Sequence, residues 1–518
     1  MNQYANARLA ELGGNDAEAL KSYLRLGRDA PESRVLAERV YESAIRSGDM
    51  AAAVRAVRAQ ELIGDVSAEA PLLLFADAFK KKNWSLALLA TNELSTRSNL
   101  AFMAPILHSW INVAQGNPHD LVDVGNQSDP IFAYYSNDQR VYLDLATGDY
   151  AKASVGLRNM ALVGGEHVRD LFLRAAPIMA KQGDTAFTDA LISHALGNDR
   201  QPTTRMPTSQ NLTPQEGLAA FHTRIANALL EQDIIGPALV LARVGQWMDP
   251  ANEAAKLAVA RALVSHSQYS PANELLITID STSPYWLRSI GERIKIHNIQ
   301  GSHGAALAVA KEGVARWPKS VGMTTLLAQA LENMGDRQAA IIKYRELVDL
   351  AEQGAYNPRQ RANLHLALAS VLDRGGDWAA AKLQLETAAL LDPNNAQILN
   401  YLGYSMLEKR DEPARALALV QKAFEIAPDS IAITDSMGWA FYRNGQVGQA
   451  LPLLEKAAKG SGSDAAINEH LGDAYWATGR YRDARYAWRT ASQDADADAA
   501  KRLAHKLEIG LVETNAAP

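Results

Sequence analysis

Small and large apolar residues recur along the C-terminal part of the chain at a spacing that predicts paired helices. Leucine–glycine or methionine–glycine dipeptides are separated by 35 and then 34 residues, at Leu402-Gly403, Met437-Gly438 and Leu471-Gly472. Alanines recur at intervals of 34, at Ala416, Ala450 and Ala484. Small residues are needed where two helices approach closely, and larger neighbours fill the remaining space. The pattern therefore predicts a series of helical hairpins.

Turn residues separate the predicted helices within the same interval. Gly376-Asp377 separates two predicted helices, and Asp392-Pro393 follows the second one. Glycine ends helices readily, and proline cannot continue one. Two further columns stay in register, Val420 with Leu454 and Trp488, and Ala423 with Ala457 and Ala491. This layout resembles the tetratricopeptide repeat, which implies an all-α, right-handed α-solenoid of about 13–14 helical hairpins.

The repeats divide the chain into predicted segments. Degenerate copies can be followed toward the N-terminus, and a polar, proline-bearing stretch interrupts them. The segments are an N-terminal degenerate arm over 1–196, a polar linker or loop over 197–212, middle degenerate repeats over 213–358, well-formed C-terminal repeats over 359–498, a capping helix over 499–511 and a disordered tail over 512–518. In repeat numbering, Pro31 occupies position 32, so the first helix starts inside a repeat. We therefore expect a leader segment upstream of Met1; a cytoplasmic protein with a frayed first helix is the alternative.

A more specific resemblance covers about residues 395–495. The stretches 399–404, 428–445 and 467–476 are similar to exported alphaproteobacterial tetratricopeptide proteins. That family is related to a pseudomonad outer-membrane lipoprotein that acts as an adaptor of a carboxyl-terminal processing protease. The resemblance implies a periplasmic or outer-membrane location and suggests the protease and its substrates as partners. This chain has no cysteine to carry a lipid, which leaves membrane anchoring open.

A candidate binding strip follows from the repeat positions. In such solenoids the first helix of each hairpin lines the concave face, and helical spacing predicts which of its positions are exposed. The candidate protein-binding residues are Asn400, Tyr404, Asp435, Trp439, Tyr442, Arg443, Glu469, Asp473 and Trp476. Aromatic residues anchor protein interfaces, and carboxylates favour a basic or amide-rich partner. The alternative is that the aromatic residues only pack within the repeats.

Composition and motifs narrow the function further. The net charge of −6 argues against a nucleic-acid binder, which usually has a basic surface. The absence of cysteine excludes cysteine-ligated metals. The sequence contains no phosphate-binding loop, no metalloprotease motif, no nucleophile elbow and no apolar run of membrane-spanning length. We therefore predict no catalytic, metal-binding or cofactor-binding residues, and no transmembrane segment.

The sequence thus favours a non-enzymatic adaptor or scaffold of the bacterial cell envelope that binds proteins on its concave surface. Two alternatives stay open at this point. One is a cytoplasmic co-chaperone or assembly scaffold of the same architecture. The other is the helical periplasmic arm of a polysaccharide export system, in which the aromatic strip would stack on sugars.

Overall fold

The computed structural model describes residues 2–64, 67–97, 99–117, 130–197, 204, 211–354 and 356–517. Over these residues it contains 28 α-helices and no strand. The prediction of an all-α chain is therefore confirmed, and the helix number matches about 14 hairpins. The chain divides into two compact units, Met1–Met334 and Gly335–Pro518.

In its described residues, the first unit contains helices α1 to α18 and one short 3₁₀ helix, Ala101–Met103, before α7. The helices are α1 (Asn2–Leu12), α2 (Asp16–Asp29), α3 (Arg34–Ser47), α4 (Met50–Ile63), α5 (Ala70–Lys80), α6 (Trp84–Arg97), α7 (Ala104–Ala114), α8 (Pro130–Thr147), α9 (Tyr150–Val163), α10 (Glu166–Ala180), α11 (Thr185–Leu196), α12 (Pro214–Glu231), α13 (Ile235–Met248), α14 (Glu253–Ser265), α15 (Tyr269–Ile277), α16 (Trp286–Ile299), α17 (His303–Arg316) and α18 (Val321–Asn333).

The second unit contains helices α19 to α28 and a second 3₁₀ helix, Glu513–Asn515. The helices are α19 (Arg337–Gln353), α20 (Pro358–Arg374), α21 (Trp378–Leu391), α22 (Ala396–Glu408), α23 (Pro413–Ile426), α24 (Ile431–Arg443), α25 (Val447–Ser461), α26 (Ala465–Ala477), α27 (Tyr481–Ala491) and α28 (Ala497–Ile509). Helices α20 to α27 pack as consecutive hairpins.

The Gly-Asp turns have the roles that the sequence predicts. Gly376 adopts a φ of +82°, a left-handed conformation that favours glycine. The next residue, Asp377, caps α21, because its side chain accepts a hydrogen bond from the Ala380 backbone N–H at 3.1 Å. The cap satisfies a backbone donor that the helix itself leaves unpaired. One glycine–aspartate pair thus ends one helix and starts the next.

The small-residue columns lie where the two helices of a hairpin touch. A β-carbon placed on Gly438 would lie 2.8 Å from Leu454 Cγ and 3.2 Å from the Ala450 carbonyl oxygen. A β-carbon on Gly472 would lie 2.3 Å from Cδ1 of Trp488. The alanine columns beside these contacts are fully or almost fully buried. The interpretation of these positions as close helix–helix contacts is confirmed.

Gly438→Val should therefore lower the free energy of unfolding by about 1–3 kcal/mol, because a branched side chain overpacks the α24–α25 contact. Gly448→Ala is the matched control, since nothing lies within 4 Å of a β-carbon at that helical position. The control should leave stability unchanged or raise it by up to about 1 kcal/mol. Urea unfolding of the full chain measures both. Equal stability of Gly438→Val and the wild type would show that the α24–α25 contact accommodates the larger side chain.

The first unit joins segments that the sequence analysis separated into an arm over 1–196 and middle repeats from 213. Arg243 of α13 donates through Nε to the Ile45 carbonyl oxygen at 3.0 Å, and also donates to that of Arg46, at the end of α3. Arg224 of α12 pairs with the buried Asp138 of α8. The two units divide between Met334 and Gly335, and the predicted segment bounds stay a prediction. Most of the predicted linker over 197–212 lies outside the described residues.

Candidate functional site

The nine candidate residues lie on α22, α24 and α26, the first helices of three successive hairpins. Helix α24 packs against both α22 and α26, so the three helices form one continuous layer. The repeat spacing therefore brings the nine residues to neighbouring positions on this layer. We call this surface the C-terminal groove, and define it by Asn400, Tyr404, Asp435, Trp439, Tyr442, Arg443, Glu469, Asp473 and Trp476.

The expectation that all nine side chains are exposed is wrong for four of them. Asp435 is 5% exposed, Glu469 is 2% exposed, and Trp439 and Asp473 are fully buried. The other five, Asn400, Tyr404, Tyr442, Arg443 and Trp476, are half-buried. The physical reason is that neighbouring groove residues and the segment after α27 cover the four buried side chains, as the contacts below show. The binding role of the nine residues stays a prediction.

An aromatic stack forms the centre of the groove. The Trp439 ring lies between Tyr442, at a centroid distance of 4.8 Å, and His470, at 4.1 Å, with an interplanar angle of 13° in each case. The guanidinium carbon of Arg443 lies 5.6 Å from the Trp439 ring centroid. Such stacking contributes to stability beyond the burial of area. Trp439 is therefore a structural residue of the groove rather than an open anchor.

His470 and Asp435 form a buried pair between α26 and α24. Nδ1 of His470 lies 2.9 Å from Oδ2 of Asp435, and the imidazole is 2% exposed. Burial disfavours the charged imidazole, but attraction to Asp435, its hydrogen bond and the nearby Asp473 and Glu469 outweigh burial. The pKa of His470 is therefore raised above its ordinary value of 6.5.

This raised pKa predicts a pH-dependent contribution to stability. The folded state favours the protonated ring, so the stabilisation is complete below the unfolded pKa of 6.5 and is lost as pH rises through the folded pKa. His470→Gln should therefore cost about 1.5–3 kcal/mol at about pH 5.5 and less at about pH 8.5. Unfolding at both pH values measures the difference, and His194→Gln, at an exposed position, is the control. A cost that grows with pH would contradict the assignment.

The two buried carboxylates of α26 pair with cations of α28. Lys506 Nζ lies 2.8 Å from Glu469 Oε1 and 2.7 Å from Asp473 Oδ1, and the lysine side chain is fully buried. Arg502 Nη2 lies 3.0 Å from Glu469 Oε2. Burial disfavours the Glu469 carboxylate, but Arg502 and Lys506 outweigh it, so the pKa of Glu469 is lowered. The chain's own cations thus neutralise these acids, which removes the reason for predicting a basic partner.

The segment after α28 turns back onto the groove. We call it the tail segment and define it as residues 510–517. Gly510 has a φ of +87°, and a β-carbon on it would lie 2.1 Å from Cζ2 of Trp476. Asn515 is 2% exposed, and its Nδ2 donates to the Gly510 carbonyl oxygen at 2.9 Å. The sequence favours a disordered tail over 512–518, whereas Val512, Asn515 and Ala517 each make hydrogen bonds in the structure.

Ala517 connects the tail segment to the groove through its main chain. Its N–H donates to Asp473 Oδ2 at 3.0 Å, and its carbonyl oxygen accepts from Arg443 Nη1 at 3.5 Å. The residue is 3% exposed. Sequence reasoning missed Lys506, Arg502 and the tail contacts. One signal for Lys506 was available, since it follows the buried Leu503 by three positions and so lies on the same face of α28.

Within the ranges given above, no group of three or more histidine, cysteine, aspartate or glutamate side chains is arranged to hold a metal ion. In the same part of the chain, no helix is both long and apolar enough to cross a membrane.

Several solved structures are distantly similar to this chain. The crystal structure of the Cut9–Hcn1 hetero-tetramer of the APC/C is 15% identical, covers 85% of this chain and 89% of that chain, and has a TM-score of 0.35. PilF of Pseudomonas aeruginosa is 15% identical, covers 43% of this chain and 97% of that chain, and has a TM-score of 0.32. MamA is 20% identical, covers 34% and 91%, and has a TM-score of 0.28. Scores this low carry no conclusion about function.

Sequence comparison is more specific. A TPR repeat-containing protein of Pseudomonas aeruginosa is 28% identical over 188 residues, which are 36% of this chain and 29% of the relative. The chain therefore spans less than a third of that relative's length. The family model described as tetratricopeptide repeat matches residues 366–431 and 436–500. On these residues, which include α22, α26 and all of α24 except residues 432–435, the chain carries tetratricopeptide repeats.

Proposed function

We propose that this protein is a non-enzymatic adaptor or scaffold of the bacterial cell envelope that binds partner proteins through its C-terminal groove. The observation that carries the proposal is the match of residues 366–431 and 436–500 to the tetratricopeptide repeat, a fold that serves as a protein-interaction scaffold. The Pseudomonas aeruginosa relative supports a bacterial setting. A carboxyl-terminal processing protease and its substrates are the candidate partners.

The groove has features suited to a protein partner. Tyr404, Tyr442 and Trp476 are half-buried, so each ring is held by the repeats and still reaches solvent. Aromatic side chains held in this way lose little entropy on binding. Among the described residues, Asn400 Oδ1 is buried and accepts no hydrogen bond. A donor from a partner would satisfy this atom, since an unsatisfied buried acceptor is costly.

Affinity purification from a crosslinked envelope fraction tests this proposal. Three full chains are compared, the wild type, Arg443→Glu in the groove and Arg489→Glu as a matched charge reversal on α27. Arg489 is exposed and lies outside the groove. We expect the wild type and Arg489→Glu to retain the same proteins, including the protease, and Arg443→Glu to lose them.

Two results would count against the proposal. Retention of the same proteins by all three chains would exclude the groove as their binding site. Recovery of partners without the protease would contradict the protease assignment and leave the adaptor function standing. Circular dichroism of each variant ensures that a loss of binding is compared between folded proteins.

A further inference from the structure

We propose that the tail segment is an intrachain ligand of the C-terminal groove, and that a short non-helical segment of a partner protein binds in its place. The partner segment presents an apolar residue and an alanine-sized residue spaced as Leu511 and Ala517. This inference rests on the proposed function, because it specifies how that groove recognises a partner. It also assigns the tail segment a function that the repeats themselves do not require.

The hydrogen bonds of the tail segment to α24 and α26 are made by its main chain. Ala517 uses its N–H toward Asp473 and its carbonyl oxygen toward Arg443. Val512, Thr514 and Ala516 are exposed and point away from the groove's buried contacts. Leu511 supplies the apolar contact, since it packs on the cluster that contains Trp476 and Trp488. Main-chain recognition with one apolar contact is a mode that segments of other proteins can reproduce.

The groove keeps its shape without the tail segment. Asp473 accepts hydrogen bonds from Lys506 Nζ at 2.7 Å and from Trp488 Nε1 at 2.9 Å. Its carboxylate therefore stays oriented toward an incoming N–H when Ala517 leaves. Arg443 keeps two contacts that do not involve the tail segment, because its guanidinium lies over the Trp439 ring and its Nη2 donates to the Leu407 carbonyl oxygen at 3.5 Å. A binding site organised in advance loses less entropy when it binds a ligand.

The tail segment is also held less firmly than the helix before it. Helix α28 is fixed by the pairs of Lys506 with Glu469 and Asp473, and by the pair of Arg502 with Glu469. The tail segment has the two contacts of Ala517 with α24 and α26, the Gly510 contact with Trp476, the Leu511 packing and one contact of Asn515 with His505 of α28. Segments with fewer buried contacts open at lower free energy than the rest of a fold. The tail can therefore leave the groove while α28 stays in place.

Attachment to the same chain makes the tail segment an effective competitor. A ligand joined by a short linker acts at an effective concentration of about millimolar. An external segment of similar chemistry must compete with it, so its apparent affinity for the full chain is reduced. The covered groove thus binds only partners that have a higher affinity than the tail segment or that are present at high local concentration.

A labelled peptide with the sequence of residues 510–518 tests the inference by fluorescence anisotropy. It is titrated into the full chain and into a shortened chain that ends at Ile509. We expect the shortened chain to bind the peptide, and the full chain to bind it at least about tenfold more weakly. The same peptide with a methyl group on the nitrogen of the Ala517 equivalent should lose binding, because Asp473 then receives no hydrogen bond.

A second variant tests the inference without the shortened chain, in case that chain misfolds. Ala517→Pro in the full chain removes the N–H donor without deleting any residue and should also increase peptide binding. The inference is overturned if the folded shortened chain and Ala517→Pro bind the peptide no better than the wild type. Its failure is distinguishable from failure of the proposed function. Peptide binding without envelope partners would contradict only the latter, and partner capture without peptide binding only the former.

Discussion

Lys506→Met is expected to lower the free energy of unfolding of the second unit by about 3–5 kcal/mol. Methionine keeps the unbranched shape and most of the length of the buried side chain but removes the charge that faces Glu469 and Asp473. Both carboxylates are almost completely removed from water, so the loss leaves buried charge uncompensated. Arg502 still pairs with Glu469, and Asp473 bears most of the cost.

Hydrogen exchange, resolved by segment across α26 to α28, measures this effect in the full chain. Lys501→Met is the matched control, because Lys501 is 79% exposed and its partner Asp498 is 84% exposed. An exposed pair of this kind contributes at most about 1 kcal/mol. If Lys506→Met exchanges no faster than Lys501→Met, the buried ion pair is not what holds α28 on the repeats.

Trp439→Ala should destabilise the second unit by about 3–5 kcal/mol, because it removes a large, fully buried ring. It also removes the stacking partner of Tyr442 and His470. The sequence alone suggests a different outcome, that Trp439→Ala with Asp435→Lys weakens partner capture and preserves the helical fold. The burial of both side chains makes this pair a test of folding rather than of binding.

Thermal unfolding followed by circular dichroism separates the two interpretations. Tyr486→Ala provides a control of equal kind, because Tyr486 is an aromatic residue of α27 that is 66% exposed. Its replacement should change stability by no more than about 0.5 kcal/mol. A Trp439→Ala variant as stable as Tyr486→Ala would show that the Trp439 ring is not part of the packed core.

Trp439 was predicted to be an exposed binding residue and is a buried core residue. This difference shows what sequence spacing can and cannot predict. The repeat interval identified Gly438 and Gly472 as close contacts, because such contacts form within one hairpin and depend on local spacing. The exposure of Trp439 depends instead on His470, which belongs to the next hairpin. Helical periodicity assigns a face to each residue but does not show what covers that face.

Long-range contacts could not be predicted from the sequence for a related reason. Arg243 bonds to backbone carbonyls 197 and 198 residues earlier in the chain, and no spacing rule connects them. The acidic residues Glu469 and Asp473 were recognised as one cluster, whereas their pairing with Lys506 depends on how α28 packs. The carboxylates that suggested a basic partner are thus satisfied within the chain itself.

The position of the tail segment is the most direct test of the account. The chain has no cysteine, so Ala516→Cys can carry a single bimane label, a fluorophore that nearby tryptophan quenches. Its neighbour Ala517 lies against Asp473, one helical turn before Trp476. We predict quenched emission in the free full chain and a rise in emission when excess unlabelled peptide of residues 510–518 is added. Emission that is unquenched in the free chain, or unchanged at peptide concentrations that saturate the shortened chain, would contradict the account.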